Sequence, residues 1–268
     1  MTLLDGKAVI VTGGTKGIGA VIAARMLAEG ASVVVCGRTE PEQVPAAGGR
    51  TAVFVRADVR EPDQAAALVH AAVERFGRLD VVVNNAGGSP NADAATVSPR
   101  FVSKIVALNL LAPFYLAQPA NAVMQRQADG GLIINIGSVV ALNPAPGVAA
   151  YAAAKAGLTG LTRALAVEFG PKVRVNQVTV GLVHTEKARD YYGDEAGQRA
   201  VAALIPAGRM AVPDDVADAC LMLASPLASY VSGAELRVDG GGEIPGRFAV
   251  AHPWSADGPP GGQDTTRA

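Results

Sequence analysis

The stretch Ala8-Val-Ile-Val-Thr-Gly-Gly-Thr-Lys-Gly-Ile-Gly19 decides the fold, because it joins an apolar strand, a glycine-rich turn and the start of a helix. Glycines permit a tight turn after a strand, and the backbone N–H groups of a helix N-terminus bind a diphosphate. The spacing is G-x-x-x-G-x-G instead of the familiar G-x-G-x-x-G, so a flexible turn is the alternative interpretation. The position after the first strand favours a dinucleotide site that includes Gly13, Thr15, Lys16, Gly17, Ile18 and Gly19.

Further apolar runs of strand length alternate with segments of helix length. The seven strand candidates are Ala8 to Val11, Ser32 to Cys36, Ala52 to Val55, Leu79 to Val83, Leu132 to Ile136, Val173 to Val178 and Ala234 to Val238. Most are continuously apolar instead of alternating, which is typical of parallel strands that helices bury on both faces. The pattern predicts an α/β, Rossmann-like, doubly wound fold with a seven-stranded, mostly parallel sheet and helices on both faces.

Length and composition indicate one catalytic domain. The chain has 268 residues, of which 50% are hydrophobic, and this suffices for one sizeable core. We expect this domain to span residues 1–242. From residue 243 to 268 the composition shifts to Gly, Pro, Ser and Asp, which predicts a non-regular C-terminal tail.

Several classes of partner are disfavoured by composition. The formal net charge is −1 and the cations are spread along the chain, so we expect no nucleic acid partner. Cys36 and Cys220 form no CxxC or Cys/His group, and we expect buried thiols in a reducing compartment and no metal site. No signal peptide and no uninterrupted run of ~18 apolar residues is evident, which predicts a soluble, cytoplasmic protein without a membrane partner.

The end of the second strand candidate carries Arg38, where a dinucleotide fold meets the adenosine ribose. An acidic residue there bonds the 2′-hydroxyl of NAD, whereas an arginine suits the 2′-phosphate of NADP. Lys16 in the glycine loop adds a second positive charge. We therefore expect NADP(H) as the favoured cofactor, with NAD(H), or two ordinary surface cations, as the alternatives.

Tyr151 and Lys155 stand four residues apart in an alanine-rich segment and therefore share one face of a predicted helix. An ammonium beside a phenol favours the phenolate, so we expect Lys155 to lower the pKa of Tyr151 and make it a general acid or base. Ser138 follows a strand candidate and is expected at the carboxyl edge of the sheet, where open α/β folds bind ligands. A solvated helix face is the alternative interpretation of the Tyr151/Lys155 pair.

These motifs together resemble the short-chain dehydrogenase/reductase family. The glycine loop, Asn84-Asn-Ala-Gly87, Ser138 and Tyr151-x-x-x-Lys155 occur in the family's order, and the resemblance runs from about Leu4 to Gly242. It implies hydride transfer between a nicotinamide and a ketone or secondary alcohol. By this resemblance Tyr151 exchanges the proton, Ser138 holds the substrate oxygen, and Lys155 bonds the nicotinamide ribose.

The resemblance also implies roles for residues outside the central triad. Asn109 would bend a helix and hold a water that links Lys155 to solvent. The adenine ring would be bound by the Asp58 side chain and the Val59 backbone. The cofactor would further contact Asn85, Ala86, Gly87, Gly181, Val183 and Thr185.

One position departs from the family's pattern. Val180 stands where a proline usually precedes Gly181, so the path of the loop that contacts the nicotinamide is open. His184 in this loop is interpreted as a rim residue, because no second ligand or carboxylate partner is evident.

The substrate pocket is expected between a lid and two loops. The charged segment 186–209 is predicted to be a helical lid, in which Tyr191 and Tyr192 line the pocket or anchor the lid. The stretches 88–98 and 141–149 form the other walls and carry little charge, which predicts a substrate whose reacting end is neutral and fairly apolar.

The interpretation is therefore an NADP(H)-dependent oxidoreductase that interconverts a ketone and a secondary alcohol, similar to 3-oxoacyl-thioester reductases or hydroxysteroid dehydrogenases. The resemblance implies a homotetramer or homodimer. Alternatives are an NAD-dependent alcohol dehydrogenase of the same family and a catalytically silent dinucleotide-binding protein. An acyl hydrolase with Ser138 as nucleophile is disfavoured, since neither G-x-S-x-G nor S-x-x-K surrounds this serine.

Overall fold

The computed structural model describes residues 2–245, and the predicted tail from residue 246 onward lies outside them. Seven strands form one sheet, namely β1 (Ala8–Thr12), β2 (Ser32–Gly37), β5 (Val53–Arg56), β6 (Val81–Asn84), β7 (Gly131–Ser138), β8 (Val173–Val180) and β9 (Glu235–Val238). Their order in the sheet is β5-β2-β1-β6-β7-β8-β9, and every pairing in this sheet is parallel. The remaining pair, β3 (Ala46–Ala47) and β4 (Arg50–Thr51), is a short antiparallel hairpin that we did not predict.

Helices cover both faces of the sheet. They are α1 (Gly17–Ala28), α2 (Pro62–Phe76), α3 (Pro99–Val106), α4 (Ala112–Met124), α5 (Ala149–Phe169), α6 (Ala188–Tyr192), α7 (Glu195–Ala203) and α8 (Pro213–Ala224). Side chains of α1 and α8 form the core on one face, and those of α2, α4 and α5 form the core on the other. The predicted doubly wound fold is confirmed.

The first strand shows why continuously apolar runs predicted this arrangement. Successive side chains of a strand point to opposite faces. Val9 and Val11 pack in the core beside α1 and α8, whereas Ile10 packs in the opposite core beside α2. All three are fully buried, so each position of the strand has to be apolar.

A π-helical segment, Ala107–Leu111, joins α3 and α4 into one long helical stretch. Within it the Asn109 side chain donates a hydrogen bond to the carbonyl of Ile105 at 2.9 Å, which competes with the regular backbone pattern. The irregularity thus lies at the asparagine that the family resemblance implied would bend a helix.

The combined helix Pro99–Met124 is long and apolar enough to cross a membrane by length and composition. In this fold it flanks the sheet, where α4 packs on α2, β6 and β7. One third of the most apolar 18-residue window of this helix is buried within the chain. Packing against the sheet accounts for part of the apolar composition of this helix. The rest of the window is not fully buried by the described part of the chain.

The amino-terminal edge of the sheet is tied together by one buried carboxylate. Asp80 accepts hydrogen bonds from the backbone N–H of Ala8 at 2.9 Å and from Arg78 Nε at 2.7 Å. Lys7 Nζ lies 3.2 Å from the same carboxylate. Asp80 therefore joins the starts of β1 and β6, while the opposite edge is left for the site.

We predict that Asp80→Ala lowers the free energy of unfolding by about 2 to 3 kcal/mol, because it removes charged hydrogen bonds and leaves a buried N–H without a partner. Urea unfolding at one fixed protein concentration measures this change. The control is Asp129→Ala, which removes an exposed partner of Lys7 and should leave the unfolding midpoint nearly unchanged. Equal effects of the two substitutions would contradict the role given to Asp80.

Candidate active site

The glycine loop between β1 and α1 is shaped by close approaches that only glycine allows. Gly13 and Gly17 have φ values of 61° and 53°, in the left-handed region. At Gly19 an added Cβ would lie 2.4 Å from Asn85 Nδ2 and from the Gly13 carbonyl oxygen. The loop thus packs directly on the residues that follow β6.

This loop leaves donors available at the start of α1. The N-cap residue Lys16 makes no side-chain capping bond, so within residues 2–245 the cap residue leaves the amides of the first turn without a side-chain acceptor. Such amides, together with the partial positive charge of the helix end, suit an anionic diphosphate. The residues present therefore fit a dinucleotide, which Gly17, Ile18 and Gly19 would hold through their backbone.

Thr12 and Asn85 fix the loop to the end of β6. The Thr12 hydroxyl accepts hydrogen bonds from the backbone N–H groups of Asn85 at 3.0 Å and Ala86 at 2.9 Å. In return Asn85 Nδ2 donates to the Thr12 carbonyl at 2.9 Å. The predicted cofactor residues of the two loops are thus held as one surface.

Two exposed cations flank the corner where the adenosine ribose is expected. The Thr15 hydroxyl lies 3.6 Å from the position that a Cβ of Gly37 would take, which brings the neighbouring residues Lys16 and Arg38 to the same corner. Both side chains are exposed. Lys16 and Arg38 thus each adjoin a residue of the Thr15–Gly37 contact, and the preference for NADP stays a prediction.

Asp58 lies near this corner, but its carboxylate already has a partner. Arg60 donates to it from Nε at 2.9 Å and from its backbone N–H at 3.1 Å. The Arg60 guanidinium is the main cause that holds the pKa of Asp58 below its usual value, and Arg38 contributes. The expected bond from Asp58 to adenine stays a prediction, while Val59 is buried beside it.

Ser138, Tyr151 and Lys155 meet at the carboxyl end of β7. Lys155 is only 3% exposed, and its Nζ donates to the Ile136 carbonyl at 2.7 Å. The same nitrogen lies 5.7 Å from the centre of the Tyr151 ring. Lys155 is therefore buried, Tyr151 is half-buried, and their shared helix face lies toward the strand end, so the alternative of a solvated face is wrong.

Burial dominates the protonation of both groups. The pKa of Tyr151 is raised, mainly by desolvation, and the Ser138 hydroxyl beside it acts in the opposite direction. Desolvation lowers the pKa of Lys155 from 10.5 to about 8. The lowered pKa that we expected for Tyr151 is not seen, because burial outweighs any stabilisation of the phenolate.

Gly87 separates Asn109 from Lys155. A Cβ on Gly87 would lie 2.8 Å from Asn109 Oδ1 and 3.3 Å from Lys155 Nζ, so a larger residue would displace one of them. The buried Asn109 amide accepts from the N–H of Gly88 at 2.8 Å and donates to its carbonyl at 3.0 Å. Asn109 thus fixes the loop after β6, and the predicted water relay stays a prediction.

The loop after β8 keeps a defined path without proline. Val180 is the buried last residue of β8, and the N–H of Gly181 continues the ladder to the Val238 carbonyl at 2.9 Å. Val183 pairs with Ala211 in an isolated parallel bridge. Backbone pairing therefore supplies the constraint that a proline would have given.

The predicted lid segment (186–209) contains the two short helices α6 and α7. Its first residue lies against the glycine loop, since Glu186 Oε2 is 3.9 Å from the position of a Cβ on Gly17. Tyr192 is partly buried against the backbone of Val183, whereas Tyr191 is 56% exposed. Tyr192 thus contacts the loop after β8, which is expected to meet the nicotinamide.

Next to Ser138 the structure contains a cavity of about 170 Å³. Its walls include Val139, which follows Ser138, Leu142 and Asn143 from the predicted stretch 141–149, and Gly181 and Leu182 from the loop after β8. Ile205 comes from the predicted lid, and the cavity is completed by residues that sequence reasoning missed, namely Arg237, Asp239, Gly242 and Glu243. The expectation of little charge concerned the stretches 88–98 and 141–149, whereas the charges of this cavity come from Arg237, Asp239 and Glu243, within and after the last strand candidate.

Comparison with known proteins identifies the family. A family model described as enoyl-(acyl carrier protein) reductase matches residues 13–243. Among relatives, a 3alpha-hydroxysteroid dehydrogenase of Mediterraneibacter gnavus is 36% identical over 89% of this chain and 97% of its own length. An L-rhamnose 1-dehydrogenase (NAD(P)(+)) of Azotobacter vinelandii is 38% identical over 90% and 98%.

A solved structure agrees with these relatives. The aldohexose dehydrogenase of Thermoplasma acidophilum superposes with a TM-score of 0.83 at 31% identity, over 90% of this chain and 96% of that one. The chain belongs to the short-chain dehydrogenase/reductase family of oxidoreductases.

We predict that Lys155→Met stabilises the protein near pH 7 and that this gain disappears as the pH rises. A lysine pKa of about 8 in the folded chain, against 10.5 unfolded, corresponds to about 3 kcal/mol of destabilisation while the amine is charged. Between these values the unfolded chain binds more protons, so the wild type gains stability as the pH rises from about 8 to 10.5. Urea unfolding of both proteins at pH 7 and 10 measures the difference, and a difference independent of pH would contradict the low pKa.

Proposed function

We propose that the protein is an NADP(H)-dependent oxidoreductase that interconverts a ketone and a secondary alcohol, with Tyr151 as general acid and base. The observation that carries this proposal is the meeting of Ser138, Tyr151 and Lys155 at the sheet edge that also holds the glycine loop. The steroid and sugar dehydrogenases among the relatives support a reaction at a CH–OH group. A bound nicotinamide would donate or accept the hydride.

In this proposal Tyr151 transfers the proton and Ser138 holds the substrate oxygen. In reduction the Tyr151 hydroxyl donates its proton to the carbonyl oxygen, and in oxidation the phenolate accepts the alcohol proton. The Ser138 hydroxyl holds the same substrate oxygen by a hydrogen bond. Burial keeps Tyr151 protonated at neutral pH, which suits the acid needed for reduction.

Lys155 provides donors at the junction of tyrosine and cofactor. An ammonium has three N–H donors, and the Ile136 carbonyl takes one of them. The remaining donors suit the ribose hydroxyls of a nicotinamide nucleotide and the Tyr151 oxygen. Its pKa of about 8 lets the group gain or lose a proton near neutral pH.

The preference for NADP rests on the charges at the adenosine corner. Lys16 and Arg38 are exposed there, and the nearby carboxylate of Asp58 is paired with Arg60. The corner therefore carries excess positive charge, which attracts a 2′-phosphate. NAD remains the alternative cofactor, because one relative is named for both nucleotides.

We further propose a homodimer or homotetramer built on the helices beside the sheet. Leu111 and Val167 are exposed, the latter by 83%. Only a third of the most apolar window in the stretch Pro99–Met124 is buried within the chain. A second copy would cover such a face.

We predict that Tyr151→Phe lowers turnover on the order of 10²- to 10⁴-fold, because the phenyl ring lacks the transferable proton. Nucleotide affinity should stay within about twofold, since the ring itself remains. Absorbance of the reduced nicotinamide measures turnover with a panel of ketones, and fluorescence titration measures nucleotide binding. Tyr230→Phe, at a fully exposed position, is the control; wild-type turnover by Tyr151→Phe would contradict the proposal.

We predict that Arg38→Asp shifts the NADPH-to-NADH preference toward NADH by at least about tenfold, or about 1.4 kcal/mol, because a carboxylate repels the 2′-phosphate. Fluorescence titration with each nucleotide measures the ratio. Arg75→Asp, an exposed position on α2, is the matched control. An unchanged ratio in Arg38→Asp would show that Arg38 is an ordinary surface cation.

A further inference from the structure

The cavity beside Ser138 has a mixed wall. Its apolar wall residues include Val139, the residue after Ser138, and Leu142 and Leu182. Its polar wall residues are Asn143 and the charged residues of β9 and the segment after it. A ligand there would therefore meet apolar and charged groups beside the strand end that carries Ser138.

Three charged residues form the polar end of this cavity. Arg237 is exposed on β9, and within residues 2–245 no carboxylate lies within salt-bridge distance of its guanidinium. One oxygen of Asp239 accepts a hydrogen bond from the Gly241 N–H at 3.2 Å, and the described residues supply no bond to the other. Glu243 is exposed beside them. These groups retain donors and acceptors for a ligand.

Two tyrosines lie near this region. Tyr191 and Tyr192 both lie close enough to Tyr151 to contribute to its raised pKa. Glu243 in turn lies close enough to Tyr192 to raise the pKa of Tyr192. The cavity itself adjoins the reacting end through Val139, the residue after Ser138.

We infer that this cavity binds the distal hydroxyl groups of a neutral, polyhydroxylated substrate of monosaccharide size, an inference that rests on the proposed function. Carboxylates accept hydrogen bonds from hydroxyl groups, while arginine and asparagine side chains donate to them. Asp239 and Glu243 thus pair with the hydrogens of a polyol, and Arg237 and Asn143 with its oxygens.

The net charge and the volume of the cavity disfavour anionic substrates and large apolar ones. Two carboxylates against one guanidinium give the polar end a formal net charge of −1, which disfavours an anionic substrate. A volume of about 170 Å³ is below the roughly 300 to 1,000 Å³ of pockets that enclose drug-sized ligands. A fused apolar ring system would also leave the charged groups desolvated and without partners.

The experiment compares three alcohols in the oxidation direction with NADP⁺ and with NAD⁺. They are an aldohexose chosen from glucose, galactose and mannose, cyclohexanol as the ring without hydroxyl substituents, and a 3-hydroxysteroid. We expect the best aldohexose to exceed cyclohexanol in kcat/KM by at least about tenfold, which corresponds to 1.4 kcal/mol. A preference for cyclohexanol or for the steroid would overturn the inference.

Variants then test the charged groups. Glu243→Gln and Arg237→Met should each raise KM for the aldohexose by about tenfold, with kcat and the KM for cyclohexanol within about twofold of wild type. Glu74→Gln and Arg75→Met, exposed on α2, are the matched controls. A rise in KM for both alcohols would show that the residues act on the lid or the fold instead, and would overturn the inference.

A direct binding measurement separates this inference from the proposed function. If none of the alcohols is oxidised, the proposed function fails. Whether the cavity binds the aldohexoses is then tested by calorimetric titration of the wild type and of Glu243→Gln in the presence of NADP⁺. Binding that weakens about tenfold in Glu243→Gln supports the inference. Absence of binding by all three aldohexoses overturns it.

Discussion

The parallel pairing of seven strands is the constraint on which the rest of the structure depends. Because every strand of the main sheet runs in the same direction, all carboxyl ends lie along one edge and all amino ends along the other. The amino edge is closed by the buried carboxylate of Asp80, which ties β1 to β6. The carboxyl edge receives the glycine loop, Asn85, Ser138 and the loop after β8. Stability and chemistry are thus separated at the two edges of one sheet.

Close packing explains why the carboxyl edge holds its shape. Gly19 permits the contact between the glycine loop and Asn85, and Gly87 leaves room for the side chains of both Asn109 and Lys155. Each of these glycines faces polar side-chain atoms at a distance that a Cβ would violate. The polar groups are therefore fixed by the backbone around them, which limits the reorganisation required when a ligand binds.

The fold was predictable because its determinants are local. Continuous apolar runs and a glycine turn specify parallel strands, and all seven strand candidates are confirmed. The two-residue strands at residues 46–51 were missed because they bury little apolar surface.

The pKa of Tyr151 was predicted in the wrong direction, since helix spacing reports the distance to Lys155 but not the desolvation of the ring. The charged cavity was missed because Asn143 and Glu243 meet only through the sheet topology.

Burial favours the uncharged form of both Tyr151 and Lys155, because it shifts their pKa values in opposite directions. Desolvation disfavours the phenolate and the ammonium alike, so it raises one pKa and lowers the other. A charge on either group then has to be stabilised by a neighbour. The Ile136 carbonyl serves Lys155 and the Ser138 hydroxyl serves Tyr151, and neither neighbour carries a full charge. Each shift favours the uncharged form of its group, so a charged or hydrogen-bonding ligand at this edge changes the proton affinity of both groups more than it would in a solvated site.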